Sequence, residues 1–266
     1  MIKARTPTHR SSGAVWTWAC AGAGLGCAAA LLAFAPARWL ASGLHQLSNG
    51  HVQLSQTQGT VWDGSAQLAL TGSAGNRDAV RLPGRVQWTV RPGWGHVVLQ
   101  AQAACCTAQA LSLTVTPRWK RLQLALQDGQ STWPTGILSG LGTPWNTVQL
   151  EGQLLAVAKG LRAELTPEHL VLAGELRLDA LDLRSQLSSL RPMGSYRVTV
   201  EGGAQPSLKL TTLSGSLQLS GQGHWSGSRL RFDGTASAVP EHEAELSNLL
   251  NIIGRRDGAR TILTSG

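Results

Sequence analysis

From about residue 50 onward, apolar and polar residues alternate in short runs separated by turn formers, and this period of two constrains the fold more than any other feature. Val86, Trp88 and Val90 alternate with Gln87 and Thr89; Leu111, Leu113 and Val115 do the same, as do Leu122, Leu124 and Leu126. Further along come Leu176 and Leu178, Leu208 and Leu210, Leu217 and Leu219, then Leu230 and Phe232. Successive side chains on a strand point to opposite faces, so such runs mark strands buried on one side. Between them stand Asp63-Gly64, Pro83-Gly84, Pro92-Gly93, Asp128-Gly129, Gly202-Gly203, Ser214-Gly215 and Asp233-Gly234, pairs suited to tight turns. Runs spaced by about 8–12 residues and joined this way predict an antiparallel all-β architecture. The phase changes between Leu178 and Leu181, which predicts a bulge or turn near Ala180.

Helical pattern is scarce. Residues 36–48 suit a short helix with Trp39, Leu40, Leu44 and Leu47 on one side, and 134–141 a helical turn after Pro134. Leu181–Leu190 is a weaker candidate. The best is Glu241–Ile253: three acids lie in its first turns, Leu246, Leu249, Leu250 and Ile253 form a stripe, and Gly254 ends it.

Ahead of the alternating region, no charge occurs between Arg10 and Arg38. As a helix, residues 14–34 extend roughly 31 Å, close to the hydrocarbon thickness of a bilayer. The preceding segment carries Lys3, Arg5 and Arg10 and no acid, which predicts a cytoplasmic start and a chain body on the other side of the membrane, the periplasm of a Gram-negative cell. A cleaved signal peptide is the competing reading. The run exceeds the usual apolar core of such peptides, and Pro36 follows the small-residue site Ala33-Phe34-Ala35, so a retained span is favoured. The expected organisation is therefore a cytoplasmic tail (1–13), a transmembrane helix (14–34) and a periplasmic β-rich domain (35–266). A weak echo between Gly59–Gly64 and Gly223–Gly227, each a tryptophan-containing turn before an alternating run, suggests two halves dividing near 129–133.

Composition narrows the function. The net charge is +8, but only 14% of residues are charged and the basic ones are scattered. No long basic run interleaved with aromatics exists, which argues against nucleic-acid binding; the excess positive charge suits anionic headgroups or an acidic partner. Cys20 and Cys27 fall in the apolar run, seven apart and on one helix face. Cys105 and Cys106 are adjacent. In a strand they would point to opposite faces, and a bridge between them needs a distorted turn, which an oxidising compartment permits.

Residues for chemistry are not assembled in any familiar pattern. The seven histidines stand at 9, 45, 51, 96, 169, 224 and 242, none at a metal-ligand spacing from other ligands. There is no nucleophile elbow, phosphate loop or dinucleotide fingerprint. Asp63, before Gly64, reads as a turn residue; Asp179 and Asp182 read as solvated. The expectation is a binding or scaffold protein with no catalytic, cofactor or metal site.

Several longer strings carry a resemblance. They are Pro36-Ala-Arg-Trp39-Leu40, Gly59-Thr-Val-Trp62-Asp-Gly64 and Leu82-Pro-Gly-Arg-Val-Gln-Trp88, then Trp133-Pro134 and Leu141-Gly-Thr-Pro-Trp145-Asn146-Thr147. Leu187-Ser-Ser-Leu-Arg-Pro-Met193-Gly-Ser-Tyr196, Leu210-Thr-Thr-Leu-Ser-Gly-Ser-Leu217 and Leu249-Leu-Asn-Ile-Ile-Gly-Arg-Arg256 follow. In this order and spacing the chain resembles the type II secretion system protein N family, with Met193 where its members often carry Leu. The resemblance implies a bitopic inner-membrane accessory subunit, not an enzyme, of the machine that exports folded proteins from the periplasm. The implied partners are other inner-membrane components of that system and its outer-membrane secretin.

Read from the residues themselves, Trp62, Trp88, Trp133, Trp145 and Trp225 are core pegs or interface anchors, because each supplies a large apolar area and one N–H. Asn146 is a turn former after Trp145. Gly194 before Ser195-Tyr196 suits a turn feeding a strand through Tyr196, Val198 and Val200. A second reading of the same pattern is a membrane-anchored periplasmic β-groove that binds lipid, which needs a continuous apolar face instead of a closed core.

Overall fold

The computed structural model describes residues 13–71, 79–141, 145–167, 169–226 and 229–265. Lys3, Arg5 and Arg10 lie outside the described residues, as does Gly142-Thr143-Pro144.

The chain begins with helix α1 (Gly13–Ala33), in which no residue of the apolar stretch Trp16–Ala33 is buried. Helix α2 (Ala37–Leu47) follows after Pro36 and lies along the first strand. The strands are β1 (Val52–Gly59), β2 (Asp63–Leu70), β3 (Val80–Arg81), β4 (Val86–Pro92), β5 (Val97–Ala103), β6 (Leu111–Arg118), β7 (Arg121–Leu126) and β8 (Gly129–Pro134). A 3₁₀ turn over Thr135–Leu141 and the short helix α3 (Trp145–Val148) lead to two long strands, β9 (Leu150–Leu165) and β10 (Leu170–Ser185). Then come β11 (Gly194–Gly203), β12 (Ser207–Gly215), β13 (Leu217–Ser226) and β14 (Arg229–Ala238), helix α4 (Glu243–Ile253), and β15 (Arg255–Asp257) with β16 (Arg260–Ser265).

All the strands join one antiparallel sheet. Its order is β1-β2-β4-β5-β6-β7-β9-β10-β11-β12-β13-β14-β16-β15, with β3 on β2 and β8 on β9. Nearly every neighbour in space is a neighbour in sequence, as expected when tight turns follow each alternating run. The predicted antiparallel β-rich class with a short helix near the end is the observed one. The sheet is hydrogen-bonded straight through residues 129–133, where β8 pairs with β9.

The alternation becomes apolar rows across the sheet. Val90, Leu99, Leu113 and Leu126 are directly opposite one another in turn, and so are Leu176, Val200, Leu208, Gly223 and Phe232. Cross-strand rows of this kind are the unit of sheet stability. Apolar side chains of the sheet are closed off in three clusters. Helix α4 places Leu246, Leu249 and Leu250 at 0–1% exposure against Leu183, Met193, Tyr196, Leu217 and Ala236. Ala37 and Leu40 of α2 cover Ala66, Trp88 and Leu99. A third cluster gathers Leu82, Ala103 and Cys106 with Trp133 and Ile137.

Four expectations need correction. Leu181–Leu190 is not helical: β10 continues to Ser185, carried past a bulge at Asp182 (φ 49°), so the phase change reflects an inserted residue and not a change of period. Cys105 and Cys106 do not sit in a strand; they occupy the turn after β5 and are bonded to each other, Cys106 buried and Cys105 exposed. Asp179 is not solvated. It lies directly opposite Arg197, which donates two hydrogen bonds to its carboxylate at 2.7 and 2.8 Å. In α2 the expected stripe is split: Leu40 packs inward, but Trp39 and Leu47 are 50% and 86% exposed.

Candidate functional site

The best-built feature outside the core is the junction between α1 and the sheet. The β1–β2 turn (60–62) clasps the end of the helix. The Val61 amide donates to the Ala35 carbonyl at 2.8 Å, the Trp62 indole N–H donates to the Leu32 carbonyl at 2.7 Å, and Pro36 forms an antiparallel bridge with Thr60. The Leu32 carbonyl also accepts a long bond from the Ala35 amide at 3.5 Å, so the indole supplies its shorter partner at the helix end, where carbonyls lack the regular helical donor. The turn itself is braced by Thr60, whose hydroxyl accepts from the Asp63 amide. Asp63 thus acts through its backbone, in keeping with the reading of Asp63-Gly64 as turn residues.

Trp88 stands directly behind this junction. It is 5% exposed and its indole N–H donates to the Val61 carbonyl at 3.1 Å. Gly64 makes room for it: a Cβ there would sit 2.6 Å from Trp88 Cζ2 and 2.8 Å from two carbonyl oxygens. Trp62 and Trp88 therefore form one relay from the core to the helix end, a pairing that the sequence could not reveal because 26 residues separate them.

The remaining predicted anchors are dispersed. Trp133 is half-buried in the third cluster, its N–H on the Ser131 hydroxyl at 2.8 Å. Trp145 is 42% exposed on α3, beside the half-buried Asn146. Tyr196 is buried at 4% and donates to the Leu217 carbonyl at 3.0 Å; burial pushes its phenol pKa well up. Trp225 is half-buried near the end of β13. Sequence reasoning passed over Trp94 and Trp119, which at 101% and 89% are the most exposed tryptophans described. The available signal was Pro92-Gly-Trp-Gly, whose turn formers flank Trp94, and for Trp119 its place among Arg118, Lys120 and Arg121.

The charged groups are arranged structurally. Asp179 is held below the ordinary carboxylate range first by the hydrogen bonds from Arg197, against the opposing effect of burial, with the Arg197 and Arg177 charges assisting. Arg121 pairs with Glu164 at 3.2 Å and Arg256 with Glu243 at 2.6 Å. No cluster of three or more metal-ligating side chains occurs among the described residues. A shallow depression of about 480 Å³ beside the junction is lined by Gln58, Gln87, Gln100 and Gln102 around Ser65 and Trp88. It presents amides and hydroxyls, groups that bind by hydrogen bonding.

Residues 50–263 match the family model of the type II secretion system (T2SS), protein N. No curated protein and no solved structure matches the chain. The matched range runs from before β1 into β16, taking in α4, and stops short of α1 and α2.

Proposed function

The chain belongs to the type II secretion system protein N family, and from that premise we propose that it is a non-enzymatic inner-membrane accessory subunit of the export machine. In this reading α1 crosses the inner membrane with its first residues in the cytoplasm, and the β body stands in the periplasm. The observation that carries it is the junction. An apolar helix of 21 residues, with no buried residue over Trp16–Ala33, is fastened at and just beyond its end by three backbone-directed contacts to a folded sheet, as a permanent support requires and a removable leader does not. The body's role is then to present sheet edges, half-exposed tryptophans and the polar depression to other components of the system, the secretin among them. We further propose that the body works as two halves meeting near 129–133, one closed by α2 and the other by α4.

Spheroplasts test the topology. Protease added outside should degrade the β body of the membrane-bound protein and leave a small fragment containing residues 14–34. A full-length product resistant to external protease, or one found freely soluble beginning at Pro36 or Ala37, would overturn it.

One observation favours the second reading. The row Leu176, Val200, Leu208 and Phe232 is half-buried yet belongs to none of the three clusters. Such a strip offers acyl chains an apolar surface. Mass spectrometry of lipids extracted from the natively purified protein tests this reading; absence of stoichiometric lipid contradicts it.

A further inference from the structure

We propose that the hairpin tips carrying Trp94 and Trp119 rest on the periplasmic surface of the anionic bilayer that α1 crosses, giving the body two further points of contact with the membrane. This rests on the reading of α1 as a retained span.

The register places the tips and the helix exit at the same end of the sheet. Trp62 and Val61 hold Leu32 and Ala35 at the β1–β2 turn. Asp63 is opposite Thr89, and the Val90 amide donates to the Trp62 carbonyl, so β4 passes the helix exit while still running toward its turn. It continues to Pro92, about 7 Å farther at the rise of a strand, before turning through Gly93-Trp94-Gly95-His96 into β5. Val97 is opposite Val115, and β6 then runs on to Arg118, roughly another 10 Å, before Trp119-Lys120 reverse it into β7. Both turns thus reach at least the level at which the helix leaves the body. At the spacing of neighbouring strands they lie about 10 and 19 Å along the edge from the β1–β2 turn.

Their chemistry matches an interface. Trp94 and Trp119 have no covering group, whereas tryptophan elsewhere in the body is at least partly packed. Tryptophan is the residue favoured at headgroup depth, where its ring is partly desolvated and its N–H stays hydrogen-bonded. The strings Arg91–His96 and Pro117–Arg121 contain Arg91, His96, Arg118, Lys120 and Arg121 and no acid. Among the described residues, only Arg121 of these has an acidic partner, Glu164. Basic residues beside an exposed ring complement anionic headgroups, and the attraction falls off within a Debye length, so it operates only where the helix already holds the tip close. An acidic protein partner would satisfy the charges as well, but the tips' position beside the span favours the bilayer.

Fluorine NMR of the full chain labelled with 5-fluorotryptophan, in nanodiscs of phosphatidylethanolamine and phosphatidylglycerol, tests this. Trp94→Phe and Trp119→Phe assign the two signals by their disappearance. With spin-labelled lipid added, the Trp16 and Trp18 signals report the span, and that of half-buried Trp133 serves as the distant control. The proposal expects Trp94 and Trp119 to broaden with Trp16 and Trp18 while Trp133 stays sharp, and expects the tip broadening to be lost when phosphatidylcholine replaces phosphatidylglycerol. Sharp signals from Trp94 and Trp119 alongside broadened Trp16 and Trp18 would overturn the contact and leave the span standing; tip broadening indifferent to lipid charge would overturn its anionic basis. Four sharp signals would remove both.

Discussion

Asp179 and Arg197 show what a single register position determines. Each is unremarkable in sequence, yet opposite one another across β10 and β11 they form a two-pronged ion pair in which the Asp179 side chain is 7% exposed. Arg197 remains about a third exposed, which limits the strength of the pair. Asp179→Asn should therefore cost about 1–2 kcal/mol in a urea titration at neutral pH. The folded carboxyl titrates below its unfolded value, so the contribution is fully present above about pH 4 and is lost as the pH falls through the depressed folded value. The deficit of Asp179→Asn relative to the natural chain should accordingly shrink below pH 4; a deficit that grows with acid contradicts this. Tyr196→Phe removes the phenol O–H that donates to the Leu217 carbonyl, and should cost about 1 kcal/mol with the fold intact by circular dichroism.

At the scale of elements, α4 acts as the lid of the largest cluster. Leu249→Ala leaves a cavity among Met193, Tyr196 and Leu217 and should lower stability by about 2–5 kcal/mol, while Leu47→Ala on the exposed face of α2 should change it by less than about 0.5 kcal/mol. Equal losses from the two would refute the division between covered and uncovered helix faces. Much at this scale was legible: the strands follow the alternation, and α2, the 3₁₀ turn and α4 fall within the segments expected to be helical, α4 opening two residues late because a 3₁₀ turn occupies Pro240–His242. What was not legible depends on partners distant in sequence. The inward position of Asp179 needs Arg197, the Trp62–Leu32 tie needs a turn 30 residues away, and β10 reads as strand-then-helix because one inserted residue mimics a change of period. Whether Cys105 and Cys106 are bonded was left open by the sequence, because it depends on where β5 ends: the turn at 104–106 supplies the distortion that a bridge between neighbours needs. Mass spectrometry of the unreduced peptide should find it lighter by two hydrogens than its reduced form; a freely alkylated pair would contradict the bond.

For the whole molecule, one thin sheet with three local cores explains why so many apolar side chains are only half-buried. A body of this kind gains from neighbours along its length, which suits a component of a larger assembly better than a solitary binding domain. The family match covers that body, and the junction ties helix α1 to it. The most direct measurement is crosslinking in intact inner membranes followed by recovery of the chain through a tag and identification of what accompanies it. Recovery of other inner-membrane components of the type II secretion system, diminished when the residues before Ala35 are replaced by a cleavable leader, is the predicted result. A body that brings down none of them, with or without its helix, would contradict the account.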